Sequence, residues 1–160
     1  VRLDDILPQW QFRERHAIRI DAPPERVYAA IRAVTAREIR FFRAFTTLRR
    51  LGRRMPEGIL NAPPDQPILD VATRTGFELL ADDPPREVVV GLRISPHVFA
   101  AMNFLVDSAE TSTETRVHAA TRRAAWQFGA YWLLIRAGSG ILRRTWLRAV
   151  KRRALMNASP

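Results

Sequence analysis

From Arg122 to Leu155 apolar and basic positions recur in a helical period. Trp126, Phe128, Tyr131, Trp132, Leu133, Leu134 and Ile135 form one apolar run. Gly138-Ser139-Gly140 interrupts it, and Ile141, Leu142, Trp146, Leu147 and Val150 form a second. The spacing predicts two helical pieces. In the second, Leu142, Thr145, Trp146, Ala149 and Val150 fall at i, i+3, i+4, i+7 and i+8, one apolar stripe on one side of a helix. Arg144, Arg148, Lys151 and Arg152 fall on another side. The Gly-Ser-Gly break has neither the further glycines nor the lysine of a phosphate loop, and it is expected to turn the chain between helices with Ser139 as an N-cap.

A stripe this rich in large side chains must be buried, and the chain before it supplies strands. Residues 1–14 hold Ile6, Leu7, Trp10 and Phe12 without helical period, and Pro8 blocks a helix, so an arm laid on the body is expected. His16 to Asp21 alternates and predicts a first strand. Pro23, Pro24 and Glu25 open a helix, continued by Val27, Ala30, Ile31 and Val34. A second helix is expected from about Ala36 to Phe45, grouping Ile39, Phe42 and Phe45. Thr46 to Gln66 carries Gly52, Pro56, Gly58, Pro63 and Pro64, turn chemistry that predicts a mobile stretch. Pro67 to Thr75 reads as a short helix stopped by Gly76. Two hairpins follow, Phe77–Leu80 with Glu87–Ile94 and Ala101–Asp107 with Thr113–Thr121. The fold class is therefore α+β: a single domain, 1–160, with an antiparallel sheet and a C-terminal helical segment, 122–156, lying across it.

The order of these elements, one strand, two short helices, antiparallel strands and a long terminal helix, is that of the helix-grip fold. The string HAIRIDAPPERVYAAI resembles the opening of the START-like, or SRPBCC, superfamily, with Ala22 and Pro23 at the strand end and Val27 and Tyr28 in the helix. AAMNF, TETRV and FGAYWLLIRAGSGILRR are similar to a bacterial branch of polyketide cyclase/dehydrase-like proteins. The resemblance covers nearly the whole chain, and its motifs specify fold more than chemistry. It implies a sheet wrapped around the terminal helix, with an apolar cavity between them that in relatives holds lipids, sterols or polyketides. Five strands are legible where the superfamily has six or seven, so a further strand is sought near Thr46 to Leu51 or Ser95 to Ala100.

On that reading the cavity walls are Ile31, Phe42, Phe45, Leu79, Val90, Phe104, Val117, Tyr131, Trp132 and Ile135, a mainly apolar set of the kind that lines small-molecule pockets. The competing reading is that they pack on one another. Glu114, Arg116 and His118 share one face of the last strand. Turned inward they would orient a polar group, with His118 as acid or base; strict alternation favours Val117 and Ala119 inward and these three outward. Tyr28 and Tyr131 are candidate donors to a carbonyl oxygen, and Asn103 is a polar contact or a strand-end cap.

Composition narrows the chemistry. With no cysteine, a thiol nucleophile and a cysteine-based zinc site are excluded, and His16, His97 and His118 are too scattered for a metal cage. No metal and no cofactor are expected. No apolar run is long enough to span a bilayer, and a soluble, cytoplasmic protein is the expectation. The net charge of +10 is local: up to Glu114 sixteen basic residues balance sixteen acidic ones, and no Asp or Glu follows. Arginine bias and the helix dipole account for much of this excess. The expected function is binding of a small hydrophobic or amphipathic molecule. The alternatives are a cyclase or dehydrase using the same cavity, with His118, Glu114 or Tyr131 moving a proton, and contact of Arg144, Arg148, Lys151 and Arg152 with an anionic membrane. Nucleic acid is the weakest reading, because no exposed aromatics interleave the basic residues.

Overall fold

Alternation of half-buried and exposed residues begins at Phe12, and there the sheet begins. The computed structural model describes residues 1–49, 51 and 57–156. A short helix α1 (Arg2–Ile6) leads to β1 (Phe12–Ile18). Then come α2 (Pro24–Ala33), α3 (Phe42–Arg49), a 3-10 turn (Ile59–Asn61) and α4 (Ile68–Thr75). The strands β2 (Glu78–Asp83), β3 (Glu87–Ser95), β4 (Val98–Val106) and β5 (Thr111–Ala119) follow, and α5 (Arg122–Met156) ends the described chain. The strand order is β1-β5-β4-β3-β2, every pair antiparallel. This is an α+β fold with α5 across one face of the sheet, the helix-grip arrangement.

Two apolar clusters hold α5 to that face. Near its start, Ala124, Phe128 and Trp132 pack with Phe12, Val98, Val117 and Ala119. Near its end, Trp146, Leu147, Val150 and Ala154 pack with Phe104, Val88, Val90 and Met102 from the sheet and with Ile31, Val34 and Phe42. On the opposite face α1 covers β3 and β4, burying Leu3 and Leu7 against Val89 and Ala101.

Four expectations from the sequence are corrected. First, α5 is one helix of 35 residues that runs through Gly138-Ser139-Gly140. A helix-interior glycine costs about 1 kcal/mol, and buried contacts on both sides of the break outweigh that. Second, β1 occupies Phe12–Ile18 rather than His16–Asp21. Third, residues 36–41 are turns and α3 starts at Phe42. Phe41 has φ of 62°, a left-handed conformation that interrupts a helix, while Glu38 closes the preceding turn by accepting bonds from the Thr35 backbone N–H and Oγ1. Fourth, the segment searched for a further strand holds α3 as far as Arg49, and Val98–Ala100 belongs to β4, which leaves five strands among the described residues. The expected mobile stretch falls partly on residues 50 and 52–56, which lie outside the described residues. α2 and α4 lie where the proline and glycine signals put them.

Candidate functional site

Between the two apolar clusters α5 crosses a polar seam. On the helix-facing side of β1, Phe12 is followed by Glu14 and His16. Across the ladder Glu14 stands opposite Thr115 and His16 opposite Thr113. The His16 Nε2 and Glu14 Oε1 atoms are 2.7 Å apart, and both side chains are nearly closed off from solvent. The Thr115 hydroxyl is buried with no hydrogen-bond partner, and so is the Trp146 indole N–H. Gly140 lets the helix come down on this pair: a Cβ there would stand 2.9 Å from Glu14 Oε1 and 3.5 Å from His16 Nε2.

One turn further along α5, Arg143 enters the seam. Its Nη1 donates to Thr113 Oγ1 at 3.1 Å, and among the described residues it has no ion-pair partner within 4 Å. Burial pulls its pKa down to about 10; the Glu14 carboxylate opposes that shift and the Arg49 guanidinium adds to it. Arg143 is nevertheless not fully closed off, because part of the residue remains accessible. α3 lies over this region, with Phe45 ring atoms 3.6 Å from the position a Gly138 Cβ would take.

Two cavities flank α3. The larger, about 380 Å³, lies between α3 and the 3-10 turn and includes Phe42, Arg43, Thr46 and Leu60 in its walls. The smaller, about 300 Å³, is an open groove formed by Phe41, Ala44, Phe45, Leu48 and Ile141.

The residues expected to line one pocket are divided among several places. Phe42 borders the larger cavity and Phe45 the groove. Ile31, Val90 and Phe104 are core, with the Phe104 ring 5.0 Å from Trp146. Val117 and Trp132 belong to the other cluster, and Ile135 is half-buried. Leu79 and Tyr131 are exposed and belong to neither of the two cavities beside α3. Leu79 sits on the edge strand β2 beside a bulge. Tyr131 is one position short of the buried Ala124–Phe128–Trp132 line, and its hydroxyl accepts a bond from Arg49.

Glu114, Arg116 and His118 lie on the sheet face away from α5, and Glu114 and Arg116 are buried beneath the N-terminal arm. Arg13 Nε and Arg116 Nε donate to Glu114 Oε1 at 2.8 and 2.6 Å. Arg116 also reaches Asp4 at 2.6 Å and stacks 4.1 Å above the Trp10 ring. Burial alone would raise the Glu114 pKa, but the bonds from Arg13 and Arg116 hold it below the usual carboxylate value. Asn103 joins the same network, donating to Glu87 and accepting from the Glu114 backbone N–H. His118 Nδ1 is buried without a partner. The candidates Glu114, His118 and Tyr131 are thus not assembled into one site. Tyr28 is committed elsewhere: its hydroxyl donates to Asp82, and burial followed by that bond raises its pKa.

Arg144 and Arg148 are exposed on α5. Lys151 and Arg152 instead bond backbone carbonyls of the body, Arg19 O at 2.9 Å and Glu38 O at 2.7 Å. The residues of the seam were hidden from sequence reading by a strand placed too late. With β1 starting at Phe12, Phe12, Glu14, His16 and Ile18 share a face, and a charge at Arg143 interrupts the buried line of α5.

No family model matches the chain, and no curated protein matches it. Among solved structures it is similar to the di-domain ARO/CYC BexL from the BE-7585A biosynthetic pathway, at 15% identity and a TM-score of 0.38 over 93% of this chain and 51% of that one. It is also similar to CalU16 from Micromonospora echinospora, at 16% identity and a TM-score of 0.31 over 90% and 82% of the two chains. The chain spans about half the length of BexL.

Proposed function

We propose that this chain binds a small amphipathic molecule whose acceptor group, a carboxylate or carbonyl oxygen, faces Arg143 in the seam between α5, β1 and β5. The observation that carries this reading is a deep-set arginine with one neutral protein partner, Thr113 Oγ1. A desolvated charge whose nearby carboxylate, Glu14, makes no direct ion pair with it among the described residues is costly, and an acidic or strongly polarised ligand oxygen would add that direct contact. Thr115 Oγ1 and Trp146 Nε1, both buried and unbonded, offer further polar groups beside apolar walls, the make-up expected of a small-molecule site.

A second reading adds chemistry at the same place. His16 held by Glu14 at 2.7 Å is arranged as a carboxylate-oriented imidazole, which can take a proton from a bound molecule and return it. A cyclase or dehydrase would need such a group, and this pair replaces Glu114, His118 and Tyr131 as the candidate.

The test uses a fluorescent fatty acid, dansylundecanoic acid, together with its methyl ester. The wild type should give saturable binding, and Arg143→Met should weaken it about tenfold or more, the worth of one charge-assisted bond. The ester should bind both forms alike. Equal affinity of the acid for wild type and Arg143→Met overturns the assignment. Native mass spectrometry of protein from its own host, looking for a co-purified molecule, then supplies a substrate candidate. His16→Gln that still binds it but no longer converts it selects the enzyme reading.

A further inference from the structure

We infer that the face formed by the first half of α5 and by α3 docks on a membrane surface bearing anionic headgroups. On α5 the exposed residues Trp126, Ala130, Leu133, Leu134, Ala137 and Ile141 recur at i, i+4, i+7, i+8, i+11 and i+15, one line on the side away from the sheet. Trp126 is 81% and Leu134 82% exposed. At Ile141 the line meets α3 through the open groove, whose walls Phe41 and Leu48 are themselves exposed, as is Leu51. An apolar strip about 22 Å long on one helix, joined to a second apolar helix face, exceeds the scattered exposed residues of an ordinary surface.

The charge around this face selects the partner. Exposed Arg122 and Arg123 precede the strip, Arg144 and Arg148 continue it, and Arg40 and Arg49 flank it on the α3 side. No acidic residue lies between Glu38 and Glu57, and none follows Glu114, so the charges that α3 and α5 themselves bring to this face are all cationic. A second copy of the chain would bring arginine against arginine, a repulsive pairing. An anionic bilayer surface matches both features, taking the leucines and Trp126 below the headgroups and the guanidiniums among them. The helix would lie on the bilayer, since no helix among the described residues is long and apolar enough to cross it. This inference is independent of the Arg143 site, which lies on the buried side of the same helix.

The experiment is flotation of the full chain with phosphatidylcholine vesicles and with mixed phosphatidylcholine–phosphatidylglycerol vesicles. The wild type should float with the mixed vesicles only, less so at high salt, with a blue shift of tryptophan emission that Trp126→Phe removes. The double variant Leu133→Glu/Leu134→Glu alters only exposed side chains and should keep the wild-type melting curve while losing about tenfold or more of vesicle binding. Arg143→Met should float like the wild type whether or not it binds the fatty acid. Equal flotation with both vesicle types, or none with either, overturns the inference. So does a stable dimer in solution that the double glutamate variant dissolves, because the face would then be occupied by a second copy.

Discussion

At Arg143 charge, burial and position are in conflict. It falls on the buried line of α5 between Gly140 and Leu147, where an apolar residue would be expected, and among the described residues only Thr113 bonds it. Exchange of a poorly compensated inner charge for an apolar side chain of similar length tends to stabilise a fold. Arg143→Met should therefore raise the unfolding free energy of the unliganded protein by about 1 kcal/mol, read by urea titration, while it lowers affinity for the fatty acid. A loss of stability would mean that the arginine is structural. Glu114 is the opposite case, a buried carboxylate with two guanidiniums. Its pKa is lowered in the folded state, so its contribution is fully present above the unfolded carboxylate value of about 4.3. That contribution is lost as pH falls through the folded pKa. Glu38, bonded by Arg153 at 2.8 and 2.9 Å and also lowered, behaves the same way. Glu114→Gln should cost about 3 kcal/mol at pH 7 and flatten the acid limb of a stability profile measured from pH 7 downward. At this scale the sequence was legible in part. Alternation turns Glu114, Arg116 and His118 away from the helix face, but nothing local reveals that the N-terminal arm covers the first two.

Among the elements, α5 is continuous through three residues that individually favour a break. Gly138, Ser139 and Gly140 look like a break because their local propensities favour one. The break disappears because Ala124, Phe128, Trp132, Gly140, Leu147, Val150 and Ala154 keep one buried phase across it. Tertiary packing of that kind overrides propensity and is invisible to a short window. The two glycines then separate by surroundings. A Cβ at Gly138 meets only Phe45 at ordinary contact distance, whereas at Gly140 it presses on the Glu14 carboxylate at 2.9 Å. Gly138→Ala should stabilise by about 0.5 to 1 kcal/mol through helix propensity alone. Gly140→Ala should gain less, because Glu14 must move away from His16. Paired thermal melts decide this: a destabilised Gly138→Ala would mean that the chain turns there. The helices announced by proline and glycine, α2 and α4, were legible because their end signals are local. α3 was misplaced because its start depends on Phe41 adopting a positive φ, for which a phenylalanine gives no signal.

The molecule as a whole is a sheet covered on both faces, and the second cover is the slighter one. α5 spans one face with two apolar clusters, while on the other the arm offers Leu3 and Leu7 and a set of buried polar bonds. Glu87, only 1% exposed, accepts from the backbone N–H groups of Arg2 at 2.7 Å and Leu3 at 3.3 Å and from Asn103 at 2.7 Å. Arg116 Nη1 donates to the Leu7 carbonyl at 3.2 Å. The arm thus both covers these two charges and completes their hydrogen bonding, and undocking it would cost Glu87 and Arg116 those bonds. Leu3 acts as the plug, with no exposed surface. Leu3→Ala should cost about 3 kcal/mol, the usual range for a buried leucine. Because the cost falls on a local cover, it should appear first as faster amide exchange at residues 2–7 and along β3 and β4, with α5 protected until global unfolding. Uniformly accelerated exchange, α5 included, would show instead that arm and grip unfold as one unit. Dansylundecanoic acid binding should survive the substitution, because Arg143 and His16 lie on the other side of the sheet from the arm.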